Sequence, residues 1–151
     1  MVTGEQFEVS LPENLNLGCF YLDINLELGR AKKTALLHGD KSYSFRDLWR
    51  LTNRIGNVLR ELGVEPENRV LLILEDSPEW VGAWLATMKI GAVGTHAYTY
   101  LKPHDYTYLL QLVKPKLVIA DSVTLQRVRQ GAENLRTPKA ILVAGQGTEV
   151  R

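Results

Sequence analysis

The sequence predicts an α/β fold, a layered sandwich in which helices flank a mostly parallel sheet. Three observations carry that expectation. Segments of strand and helix character alternate from Arg69 to Ala144, each closed by its own turn or capping residues. The run RVLLIL, Arg69 to Leu74, is apolar at every position after the first, which suits a strand covered on both faces. Directly after it, Ser77-Pro78-Glu79 opens a helix, with a hydroxyl cap, a proline in the first turn and an acid near the positive end of the dipole. Strand, helix, strand in this order is how parallel strands are joined, by right-handed crossovers.

The elements follow in order. Residues 1–16 read as an extended arm and residues 17–151 as one α/β unit. Asn16 is placed to cap a helix over Leu17 to Leu28, whose apolar residues Phe20, Ile24 and Leu28 recur every four positions before the stop at Gly29. Two short strands, Thr34 to Leu37 and Lys41 to Tyr43, flank the turn residues Gly39 and Asp40. Ser44 caps a long helix ending at Gly63. Its apolar stripe is Leu48, Leu51, Ile55, Val58, Leu59 and Leu62, with Arg46, Arg50, Arg54 and Arg60 on a solvated face. Asp47 takes the capping-box position that Glu or Gln usually holds.

After the strand at Arg69 comes the Ser77 helix, with Trp80, Val81, Trp84, Leu85 and Met88 on one side and Gly91 closing it. Ala92 to Thr95 forms the next strand. Pro103 starts a helix that runs to Val113 and stops before Pro115. Lys116 to Ala120 is a strand, Asp121 or Ser122 caps a helix to about Leu135, and Ala140 to Ala144 is the last strand before the polar GQGTEVR.

Composition bounds function. A chain of 151 residues with 45% hydrophobic and 23% charged residues is an ordinary globular domain rather than a disordered one. A net charge of +1 offers no basic face for nucleic acid. No apolar run approaches the roughly 20 residues that span a bilayer. The opening MVTGEQFEVSLPENLNLG is acidic and interrupted by Pro12, unlike a secretory signal. The single cysteine, Cys19, excludes an intrachain disulfide and fits a reducing cytoplasm, where the chain is expected.

Motifs exclude further chemistry. No GxGxxG or GxxxxGK[ST] follows a strand, and the helix start at Ser77 is crowded by Glu75, Asp76 and Glu79. His38, His96 and His104 lie far apart without ligand spacing, so no metal site is expected. His96 leaves a strand at its carboxyl end, where open α/β sheets place their ligands. In the stretch THAYTYLK, Tyr98 and Tyr100 fall on one side of an extended chain. Two readings stand for this stretch. Tyr98 and Tyr100, with Lys102, flank a ligand passage; or Tyr98, Tyr100, Tyr106 and Tyr108 pack the loop onto the following helix.

From Asn14 onward the chain resembles the N-terminal subdomain of AMP-forming acyl- and aryl-CoA synthetases. The matching pieces are YLDINLELGRAKKTALL, SYSFRDLWRLTNRIGNVLRELGVEPENRVLLIL, DSPEWVGAWLATMKIGAV, LKPHDYTYLL and KPKLVIAD, in order and at normal spacing. The opening YLDIN and the DYTYLL segment are most similar to benzoate-CoA ligases. The resemblance implies a two-step reaction in a parent enzyme that uses ATP, Mg2+ and CoA. A small aromatic or aliphatic carboxylic acid becomes an acyl-adenylate, and CoA then displaces AMP. It implies that the catalytic and nucleotide-binding groups lie in other ligase subdomains. None is carried onto these 151 residues, and the piece alone is expected to be inactive, the product of truncation, proteolysis or a disrupted gene. Some relatives place a basic residue for the CoA phosphate where this chain has Tyr100, leaving Lys102 as the nearby substitute; His96 and Tyr98 are the substrate-side candidates. The scaffold role implies an exposed docking face and self-association. The rival is a stand-alone binding or regulatory module of the same fold.

Overall fold

A computed structural model describes residues 12–145. The first eleven residues of the expected arm, and the GQGTEVR tail beyond Gly145, lie outside the described residues. Asn16 caps α1 (Leu17–Glu27), its side-chain oxygen accepting from the Cys19 N–H. Strands β1 (Thr34–His38) and β2 (Lys41–Ser44) form an antiparallel hairpin. Helix α2 (Phe45–Glu61) follows with a complete capping box, in which Asp47 takes the place of the usual longer acid. The Ser44 hydroxyl accepts from the Asp47 N–H at 3.2 Å and the Asp47 carboxylate from the Ser44 N–H at 3.1 Å.

The main sheet contains β3 (Arg69–Ile73), β4 (Val93–His96), β5 (Leu117–Asp121) and β6 (Ala140–Ala144) in the order β4-β3-β5-β6, every pair parallel. Helices α3 (Pro78–Lys89), α4 (Pro103–Val113) and α5 (Leu125–Ala132) join them. The path steps from β3 to β4 in one direction and from β4 through β5 to β6 in the other. Crossovers of a single hand then require opposite faces. The packing agrees: α2 and α3 cover one face through Leu59, Ala83 and Ala86 against Val70, Leu72 and Ile119. On the other face α4 and α5 set Tyr106, Leu110 and Val128 against Leu71, Ile73 and Val118.

Two local expectations are corrected. The predicted stripe of α1 faces outward: Phe20 is 50% and Leu28 58% exposed, while Gly18 and Leu22 are the buried positions. The helix is instead held by close contact and polar ties. Asn16 donates to the carbonyls of Met88 and Lys89. Asp23 accepts from Trp49 Nε1 at 2.6 Å and from Lys89 Nζ at 2.7 Å, pinning α1 to α2 and α3 together. Helix α5 is also shorter than expected and begins at Leu125, because Asp121 spends its carboxylate on the preceding turn rather than on the helix cap.

Two helical glycines predict opposite outcomes. A Cβ on Gly18 would lie 2.7 Å from the Leu85 carbonyl oxygen and 2.9 Å from the Lys89 nitrogen, backbone atoms that cannot yield. Gly18→Ala is expected to destabilise by about 1–3 kcal/mol. At Gly56 in α2 the added carbon meets Ile90 Cγ2 at 3.4 Å, an ordinary contact. Gly56→Ala is therefore expected to gain about 0.5–1 kcal/mol through helix propensity. Urea denaturation of both variants checks the pair of signs.

Candidate functional site

Parallel strands put all four carboxyl ends at one edge, where open α/β sheets bind ligands. The edge is braced from beneath. Thr124, fully buried, donates its hydroxyl to the Ile73 carbonyl at 2.7 Å and accepts from the Asp121 N–H at 3.2 Å. Asp121 accepts from the backbone N–H groups of Glu75 at 2.7 Å, Val123 at 3.0 Å and Thr124 at 2.8 Å. Burial opposes its ionisation, but the Glu75 and Thr124 hydrogen bonds outweigh it and hold the carboxyl below its ordinary range. A carboxylate with its lone pairs so occupied is a structural clamp between the ends of β3 and β5, not a base.

Above this floor a cleft of about 450 Å3 is lined by Glu75, Trp80, His96, Tyr98 and Tyr100, with Leu74 at its base. The His96 ring lies 5.1 Å from Trp80, which itself stacks on Trp84 at 5.8 Å. His96 keeps an exposed edge, yet this packing desolvates it and lowers its pKa, favouring the neutral imidazole. The rings of Tyr98 and Tyr100 meet at 5.4 Å on the rim and are 67% and 64% exposed. The two rings share a side as expected, but through a turn at Thr99 and Tyr100 rather than through the alternation of an extended chain.

The tyrosine question resolves by position. Tyr106 alone is buried and ties the loop down, donating its hydroxyl to the Tyr98 carbonyl at 2.9 Å; Tyr108 is exposed. Of the four predicted site residues, His96, Tyr98 and Tyr100 line one cleft. Lys102 stands just beyond it at the start of α4, its N–H donating to the Asp105 carboxylate at 3.0 Å. Trp80, which the sequence places on the same side of its helix as Trp84, packs against the core and also walls the cleft, a second role the sequence did not signal.

Other hollows lie on element faces. One of about 760 Å3 runs along α2, past Trp49, Arg50, Asn53 and Arg54, to Glu79. Beside it an apolar groove of about 200 Å3 separates Leu51, Ile55 and Val58 from Ile119 and Leu142. Among the described residues no group of three or more His, Cys, Asp or Glu is arranged to hold a metal ion. The start of α3 at the edge carries Glu75, Asp76 and Glu79, negative charge that disfavours a triphosphate at this helix N-terminus. No helix among the described residues is long and apolar enough to cross a membrane.

Comparison with known proteins now bears on this edge. The family described as AMP-binding enzyme matches residues 28–150. The chain belongs to the AMP-binding enzyme family. Among curated members, the 3-hydroxybenzoate/4-hydroxybenzoate–CoA ligase of Thauera aromatica is 38% identical over 120 residues, covering 80% of this chain and 23% of that protein. The benzoate–CoA ligase of the same organism is 28% identical over 138 residues, covering 91% and 26%. Among solved structures, a benzoate CoA ligase from Burkholderia xenovorans superposes with a TM-score of 0.80 at 31% identity, covering 87% of this chain and 26% of that one. An anthranilate CoA ligase in complex with anthranoyl-AMP gives a TM-score of 0.83 at 34% identity, covering 89% and 26%. The chain thus spans about a quarter of the length of these AMP-binding relatives, and its α/β architecture is that of their N-terminal region.

A pH dependence follows from His96. Because its folded pKa is lowered, the unfolded chain binds the proton more readily. The stability contributed by the neutral ring is complete above about pH 6.5, the unperturbed value, and is lost as pH falls below it. Thermal melts at pH 7.5 and pH 5 are expected to show a smaller acid-induced drop for His96→Gln than for the parent. Equal drops would remove His96 as the cause.

Proposed function

We propose that the chain is the N-terminal subdomain of an ATP-dependent ligase that joins an aromatic carboxylic acid to CoA, working in the cytoplasm. Identity to a hydroxybenzoate–CoA ligase across most of this chain is the observation that carries the reading. In the two-step reaction implied by the family resemblance, this segment supplies a wall rather than a catalyst. His96 and Trp80 form a ring-lined wall, with His96 and Tyr98 on the substrate side. Tyr100 and Lys102 lie toward CoA, where Tyr100 offers a ring edge and a hydroxyl and Lys102 an ammonium for a phosphate. Asp121 and Thr124 keep the strand ends together beneath them. ATP with Mg2+ supplies the activation of the acid, on residues outside this chain.

The remaining ligase subdomains are the proposed occupants of the α2 hollow and the apolar groove beside it. The reading is supported by the half-buried Leu142 and Ala144 there and by the quarter coverage of the relatives. Without that cover the chain presents apolar surface that a stable monomer normally hides. Sedimentation of the 151-residue chain is expected to show self-association. A monodisperse monomer with little uptake of a hydrophobic dye counts against the docking face.

A second reading is a stand-alone module that binds CoA or an aromatic acid without turnover. The cleft favours it to this extent: its aromatic rim is complete within the chain. Calorimetry with ATP, CoA and benzoate separates the two. The scaffold reading expects no heat from any ligand tighter than about 1 mM. A tighter isotherm for CoA or benzoate, with no thioester formed, selects the module.

A further inference from the structure

The connection from β4 to α4, residues 97–102, has no helix or strand of its own, yet it carries both rim tyrosines. Its conformation is decided by two consecutive carbonyls that point into the layer of α4 and α5. The Tyr98 carbonyl accepts from the Tyr106 hydroxyl at 2.9 Å, and the Thr99 carbonyl accepts from Arg127 Nη2 at 2.8 Å. Turning those two carbonyls inward leaves the rings of Tyr98 and Tyr100 outward, side by side, above the cleft.

Arg127 is an expensive way to make one such bond. It forms no ion pair among the described residues, and its Nε is buried without a hydrogen-bond partner. An apolar residue would fill the same space at α5 without that cost. Tyr106 is fully buried, and a phenylalanine would pack as well. Apart from a long 3.5 Å contact of Arg127 Nη2 with the Val123 carbonyl, both polar groups direct their hydrogen bonds to this loop. The ends of the loop are fastened separately, by Ala97 N–H to the Leu72 carbonyl at 3.1 Å and by Lys102 N–H to the Asp105 carboxylate at 3.0 Å.

We propose that Arg127 and Tyr106 are positioning residues that hold the 97–102 connection in one conformation and so preform the Tyr98–Tyr100 rim against which a ligand at the sheet edge is received. Neither touches the ligand. The inference rests on the ligase reading only for which ligand the rim meets.

Amide exchange in the 151-residue chain tests it without any ligand. Tyr106→Phe and Arg127→Met are each expected to speed exchange at Ala97 and Lys102 about ten-fold, the effect of losing one hydrogen bond of ordinary strength. Val118, in the central ladder, is expected to keep its rate, which separates a loosened loop from a destabilised domain. Arg127→Lys restores a donor to the Thr99 carbonyl and should recover most of the protection; Arg129→Met, an exposed change on the same helix, should leave it unaltered. Unchanged rates at Ala97 and Lys102 in both Tyr106→Phe and Arg127→Met overturn the proposal, as does acceleration shared equally by Val118. A tight isotherm for CoA or benzoate with no thioester formed would sink the ligase-subdomain reading in favour of the stand-alone module while leaving these rates, and the inference, untouched.

Discussion

Strand β3 is the constraint on which the rest of the structure depends. Val70, Leu71, Leu72 and Ile73 are each at most 1% exposed, so the strand has no face turned to water. A strand in that state needs a neighbour on each side for its backbone groups and a layer on each face for its side chains. β4 and β5 supply the first; α2 with α3, and α4 with α5, supply the second. Each fully buried aliphatic side chain contributes about 1.5–3 kcal/mol, so four in succession outweigh any single cap or ion pair in the chain. The reversal of direction at β4, which puts successive helices on opposite faces, is what this double cover requires.

The same arrangement makes the sheet edge a rigid place. Once β3 and β5 are adjacent, their carboxyl ends must be closed without water beneath them. Thr124 and Asp121 do this by satisfying the Ile73 carbonyl and the Glu75 N–H. The Asp121 carboxylate is thereby consumed in holding the edge. What remains open is the aromatic set Trp80, His96 and the two rim tyrosines, with the Glu75 and Asp76 carboxylates beside them. Such a surface is suited to receiving flat or amphipathic groups.

Helix α1 shows a different economy. Its outward face is apolar at Phe20, Tyr21 and Leu28, while its inward face holds a glycine pressed against α3 and a leucine in a small cluster with Leu48 and Leu85. Polar ties through Asn16 and Asp23 hold the helix in register. Apolar residues on both sides of a helix are what one expects where both are to be covered, and only one is covered among the described residues.

The sequence by itself determined the element order, the caps at Asn16, Ser44 and Ser77, and the central strand, because those are local matters of backbone donors, proline geometry and uninterrupted hydrophobicity. It also placed His96 at a strand end with Tyr98 and Tyr100 just beyond it, although a turn at Thr99 and Tyr100, not an extended chain, brings the two rings together. Tertiary structure alone decided which face of α1 is buried, because that turned on a backbone approach of Gly18 to α3 so close that an added Cβ would lie 2.7 Å from the Leu85 carbonyl oxygen, which four-residue spacing does not encode. It decided that Tyr106 is buried while Tyr98 and Tyr100 are not, since the three are chemically alike and differ only in what α5 brings against them. And it decided the partners of Arg127 and Asp121, whose bonds to Thr99 and Glu75 span 28 and 46 residues, distances at which no local pattern survives.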